Sequence, residues 1–227
     1  MSTMASAPHY PGAVFGTLMR LLIAAAVLIP VAVNFGESIV SAMLPMFGVV
    51  FEWVADDFKL LRLAIDNEGA DRVLRATVMW KHITFLGGHV IYPDPRGTAN
   101  ASTLLAHTLQ GPLVAIVTAC AWPTARVAGT SASRVWADLG IRLLVLLPLI
   151  AILIGIDMPL VLAGEIWHFI LDALAPGTSS VLVTWKLFMQ GGGRYALGFG
   201  AAILAVHVGQ AIATRKSPPS PPLEPSV

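Results

Sequence analysis

Residues 97–125 contain no Asp, Glu, Lys or Arg, and the centre of that stretch, residues 103–122, is apolar over the length a bilayer demands. About 20 residues rising roughly 1.5 Å each match a hydrocarbon core of about 30 Å. A helix here puts the charged residues 35–96 on one face of a membrane and the basic stretch 123–138 on the other. Composition agrees. The chain is 56% hydrophobic and 12% charged, with a mean hydropathy of +0.75, whereas a soluble domain averages about 45–50% apolar and about 25% charged residues. The expected fold is mainly α: a polytopic α-helical membrane protein of about four spans, with amphipathic interfacial helices and a small β-meander outside the membrane.

Taken in order, residues 1–12 lack Lys and Arg, unlike the basic start of a cleaved signal peptide, and read as a short cytoplasmic N-terminus. Residues 13–35 form the first span. Arg20 snorkels near its start, and the helix ends at Asn34 to Gly36. Residues 36–102 form an outer segment. In it Ile39, Met43, Met46, Val50 and Val54 recur at helical spacing, and Pro45, Glu52, Asp56 and Asp57 lay that helix on the membrane surface. The turn formers Asp66-Asn-Glu-Gly-Ala-Asp71 then separate 58–65 from 73–80 as two strands, and Gly87-Gly88 marks a second turn before His89 to Tyr92.

Beyond the second span (103–122) and the basic cytoplasmic loop (123–138), the third span covers 139–156 and stops at Asp157-Met-Pro159. Residues 157–194 form another outer or interfacial segment, with helical stretches at 160–174 and 178–190. The Gly191-Gly-Gly193 run is a flexible entry to the fourth span, 195–213. The Pro- and Ser-rich 214–227 are a disordered tail. Arg20, Arg126, Arg134, Arg142, Arg215 and Lys216 fall on one face, so the positive-inside rule makes both termini cytoplasmic in a bacterial inner (plasma) membrane. Trp122, Trp136, Trp167 and Trp185 read as an aromatic belt. A formal charge of +1 with scattered basic residues offers no field for nucleic acid. The expected partners are the lipid bilayer and another membrane or envelope protein, with no cofactor.

Several residues invite a chemical reading. Cys120, Arg142 and His168 stand in the order of the catalytic residues of exosortases, the membrane thiol transpeptidases. A nucleophile, cation and base must lie within hydrogen-bond reach, and the topology separates Cys120 and Arg142 from His168. Cys120 is also followed by Ala121-Trp122, where that family has a small hydroxyl residue and Gly. A buried apolar role suits this single cysteine better. His107 and His207 lie inside spans without an acidic partner, which favours interhelical hydrogen bonds over a functional role. His82 and His89 flank a turn without metal-ligand spacing, and Glu165 and His168 share a helical face as a solvated pair. A small transporter subunit would need facing ionisable groups at mid-membrane, where the spans are nearly bare of them.

In its order of elements, and in Gly111-Pro112-Leu113 and the closing Ala121-Trp122-Pro123 of the second span, the chain resembles the small exosortase-associated membrane proteins of bacteria, of the exosortase H-associated kind. That resemblance implies a non-catalytic accessory role in envelope protein sorting or surface-polymer export, with the outer segment docking a partner.

Overall fold

The structure, a computed structural model, describes residues 11–123 and 132–215. Most of the expected cytoplasmic N-terminus, the core of the basic loop with Arg126, and the tail beyond residue 215 lie outside the described residues. The chain runs α1 (Pro11–Val54), β1 (Phe58–Glu68), β2 (Asp71–Trp80), β3 (Thr84–Leu86), β4 (His89–Ile91), β5 (Thr98–Leu104), α2 (Leu105–Ala121), α3 (Ala132–Leu174), α4 (Val181–Phe188), a π-turn (Met189–Gly193) and α5 (Arg194–Arg215). It is mainly α with a small antiparallel β component. By length and composition, three helical stretches can cross a membrane, Val14–Val54, Val135–Leu174 and Val181–Ile212, so the chain is built as a multi-pass membrane protein in contact with lipid.

The outstanding difference from the sequence expectation is helix length. Helix α1 has 44 residues and α3 has 43, each about 65 Å long and more than twice the bilayer core. The expected break at Asn34 to Gly36 does not occur, for one local and one tertiary reason. Asn34 Nδ2 donates to the Pro30 carbonyl one turn back at 2.7 Å, so the amide is satisfied within the helix. Gly36 is a packing residue: a Cβ there would meet the side chain of Leu109 on α2. The expected stop at Asp157 to Pro159 also fails, because Asp157 finds a cation on α5 and the helix continues to Leu174.

The outer segment folds as a sheet of order β1-β2-β5 and a separate two-stranded sheet β3-β4. The first hairpin turns at Gly69, whose φ of 63° suits a residue without a Cβ. The meander expectation is corrected at its third strand. Residues 89–91 pair only with β3, while β5, drawn from the charge-free stretch, pairs antiparallel with β2 through Ala76↔Ala101. Alternation on β2 sends Leu74, Ala76 and Val78 inward. They share one core with Val40, Phe47 and Phe51 of α1 and Met158, Leu162 and Ile166 of α3. The other face is polar: Ser102 and Arg75 both donate to Glu68, and Thr77 Oγ1 bonds Asn100. At its base Lys81 donates to Asp56 at 2.7 Å, which holds the Asp56 carboxyl below its ordinary range. Trp167 belongs to this core and not to an interfacial belt, stacking edge-on with Phe58 and Trp80 at 5.4 and 6.0 Å.

A second core, Ala115, Ala119, Leu146, Ala202 and Ala205, joins α2, the first half of α3 and α5. Small residues let these backbones approach closely, as membrane helices require in the absence of a hydrophobic driving force. The closest approach is at Gly198 of α5, where an added Cβ would run into the Gly111 carbonyl of α2. Gly198→Ala is therefore expected to destabilise the chain by about 1–3 kcal/mol. Gly200→Ala, where the added Cβ meets nothing within 4 Å, leaves stability unchanged or slightly raised. Thermal unfolding of the two variants in the same detergent reads the difference, and equal midpoints would overturn this account of the helix contact.

Candidate functional site

The charges on the long helices fall at two levels. On α1 the stretch between Arg20 and Glu37 is uncharged, and on α3 so is that between Arg142 and Asp157. These intervals are about 25 Å and about 22 Å of helix, close to a hydrocarbon core once long side chains snorkel. Large apolar side chains are exposed along them, among them Leu22, Val27 and Val33 of α1 and Leu144, Leu147 and Ile152 of α3. One level, at Arg20 and Arg142, is the basic end. The other, at Glu37, Asp157 and Arg194, is the sheet end.

The sheet end holds the strongest polar constellation. Arg194 opens α5, and its place is set by the π-turn before it, where Gly192 adopts φ 109°, a conformation that L side chains rarely take. Its Nε donates to Asp157 Oδ2 at 2.8 Å, with the two side chains 4% and 9% exposed. Thr108, Gly111, Pro112, Ile154 and Leu197 enclose the pair around a cavity of about 10 Å³, room for one water at most. Asp157 Oδ1 and Arg194 Nη2 are buried without a protein partner among the described residues. This is a packed ion pair with no space for a substrate. His107, half-buried on α2, lies within range of the Arg194 charge.

Farther along α3, Glu165, His168 and Asp172 lie at helical spacing on the side that receives α4. Lys186 of α4, its side chain 5% exposed, puts Nζ 2.7 Å from Glu165 Oε2 and 2.7 Å from His168 Nδ1. An ammonium only donates, so Nδ1 accepts and the ring proton sits on Nε2, facing Asp172 Oδ2 at 3.4 Å. Glu165 and His168, each still 39% exposed, are thus the two sides of a lysine clip. The approach depends on Gly164, where a Cβ would meet the Leu182 carbonyl and the Lys186 side chain. An ammonium held between a carboxylate and an imidazole has no lone pair for attack; the arrangement fastens α4 to α3.

Cys120 and Arg142 line one pocket at the basic end. His168 is about 39 Å farther along α3 than Arg142, so the thiol, the cation and the base are not brought together. His207 Nδ1 donates to the Ile203 carbonyl, 2.9 Å away within its own helix, where an interhelical bond was expected. Among the described residues no cluster of His, Cys, Asp and Glu has the composition to hold a metal ion. Sequence reasoning missed the Asp157–Arg194 pair and the Lys186 clip. Their signal was a lone acid inside an apolar run and lone cations after it, charges that must pair when they leave water. Compared with protein-family models, curated proteins and solved structures, the chain finds no match.

Proposed function

We propose that the chain is a non-catalytic accessory or scaffold subunit of a bacterial inner-membrane envelope system, for protein sorting or surface-polymer export, that docks a partner protein through its outer segment. In this reading α2, at 17 residues, joins the three long helices as a fourth, short span, and both termini are cytoplasmic. The resemblance to exosortase-associated membrane proteins supports the assignment.

The observation that carries it is the β3-β4 hairpin. Leu86 packs against the cluster of Leu171, Ala175 and Val183, and Gly87 sits so close to the Leu174 carbonyl that no Cβ fits there. The hairpin is therefore fixed at the far end of α3, about 25 Å of helix beyond Asp157. Its outward face shows Ile83, Phe85, Val90 and Tyr92, exposed by 55, 77, 45 and 65%. An apolar, aromatic patch beyond the reach of lipid is what a protein partner covers. The sheet's own outer face, by contrast, is polar and bonded to itself through Glu68, Arg75, Ser102, Thr77 and Asn100. A thiol-transpeptidase reading would need Cys120, Arg142 and His168 at one site, whereas Cys120 and Arg142 line the basic-end pocket and His168 is about 39 Å of helix farther along α3.

A photoreactive phenylalanine analogue at Phe85 in intact cells tests the reading. One discrete adduct with a sorting or export component is expected. Its yield should fall about tenfold or more when Tyr92 and Val90 become aspartate, given the weight of aromatic anchors in interfaces. No adduct at Phe85, or equal adducts at Phe85 and at Asn67 on the first hairpin's tip, would sink it.

A further inference from the structure

The basic end carries a second site. Arg20 from α1 and Arg142 from α3 line one pocket together with Cys120, Trp122, Trp136 and Leu139, a cavity of about 280 Å³. Arg142 is 1% exposed, and its stem packs against Gly209 of α5. Its Nη2 reaches Asp138 Oδ2 at 2.5 Å and its Nη1 reaches the Trp122 carbonyl at 3.3 Å. Its Nε has neither solvent nor a partner among the described residues. Arg20 is half-buried and makes no ion pair among the described residues. Asp138 thus balances Arg142, and Arg20 on the same pocket leaves a surplus positive charge where burial makes an unpaired cation costly.

The place of the pocket decides which anion suits it. It lies at the level where the apolar slab ends, flanked by Trp122 at the C-terminal cap of α2 and by Trp136, 71% exposed at the start of α3. Indoles favour the headgroup layer, and Phe15 and Leu18 on the α1 surface beside Arg20 are exposed, ready to meet acyl chains. Basic pockets between membrane helices hold phosphate headgroups of anionic lipids, and guanidinium matches phosphate with paired donors. We infer that Arg20 and Arg142 form a binding site for the phosphate headgroup of an anionic phospholipid at the basic end of the helix bundle. This site is independent of the docking hairpin, which lies beyond the opposite level.

The test uses the full chain in phosphatidylcholine nanodiscs containing a titrated fraction of phosphatidylglycerol with brominated acyl chains, read by tryptophan quenching. Brominated phosphatidylcholine sets the baseline, and Trp122→Phe/Trp136→Phe identifies the quenched signal. Wild type should prefer phosphatidylglycerol, and Arg20→Gln should lower that preference about fivefold, the effect of one cation near a headgroup. Arg20→Lys should retain most of it. Arg20 lies at the edge of the bundle, so its variants keep the fold while Arg142 stays in place. Equal quenching by the two lipids in wild type, or an unchanged preference in Arg20→Gln, overturns the site. Displacement by millimolar soluble glycerol phosphate would show that a free phosphate is the ligand and overturn the assignment to lipid.

Discussion

Arg194→Gln is expected to lower the stability of the folded chain by about 3–5 kcal/mol, the range found when one partner of a buried ion pair is removed. The neutral amide cannot balance the Asp157 carboxylate, whose side chain is 9% exposed in a cavity with room for one water at most. Much of the loss is thus the penalty of a stranded charge. Asp157→Asn strands the guanidinium in the same way and should fall in the same range. The double variant Asp157→Leu/Arg194→Met removes both charges and should recover most of the loss, because apolar replacement of a buried pair is often neutral or better. Reversible unfolding in bicelles would measure all of these, combined as a double-mutant cycle. Single losses below about 1 kcal/mol that simply add would show that the two side chains do not depend on each other. The pair also sets where α5 begins, just past the Gly192 kink, so its loss should loosen the α4–α5 bend before the remote sheet.

The same pair shows why part of the architecture was hidden in the sequence. Membrane character, the first hairpin and the Gly87-Gly88 turn follow from local signals: a long charge-free stretch, β-branched residues around a polar tip, and a Gly pair with φ of 56° and 81°. Signals that act over one or two turns survive in the folded chain. What failed were breaks read from residues whose partners are remote. Asp157 stops a helix only if its charge must stay in water, and Arg194, distant in sequence, removes that need. Gly36 reads as a terminator when its contact with Leu109 is unknown. Strand β5 was not read from the sequence: only Thr98 and Thr103 in it are β-branched, and it merges with the apolar run that continues as α2. Of the candidate residues, Glu165 and His168 were seen as neighbours. The cation that joins them comes from another helix, and no local period announces Lys186.

Phe51→Ala should destabilise the chain by about 3–5 kcal/mol, because truncating a fully buried aromatic ring leaves a cavity that the packing around it cannot close. This half of α1 is apolar on more than one side, and the stripe read from periodicity only borders the core: Met43 packs against it and Met46 lies against Gly155 of α3. Ile39 and Met46, part of the stripe read from the sequence, are 44 and 38% exposed, whereas Val40, Phe47 and Phe51 are all at 0%. Those buried residues recur at helical spacing and meet Leu74, Ala76 and Val78 of β2 and Met158, Leu162 and Ile166 of α3 in one core. The sheet therefore replaces lipid as the apolar surface against which this helix lies. The two placements make opposite predictions. A helix resting on the bilayer through the Ile39–Met46 stripe would lose membrane contact on Ile39→Ala and tolerate Phe51→Ala. A helix packed beneath the sheet tolerates Ile39→Ala to within about 0.5 kcal/mol, as for an ordinary surface substitution, and yields its core to Phe51→Ala. Hydrogen exchange on β2 adds a local readout: protection of the Leu74 to Val78 amides should drop in Phe51→Ala and hold in Ile39→Ala, since the central strand opens only when the core beneath it does. Protection lost equally in both variants, or in neither, would detach the sheet from α1 and return that helix half to the membrane surface.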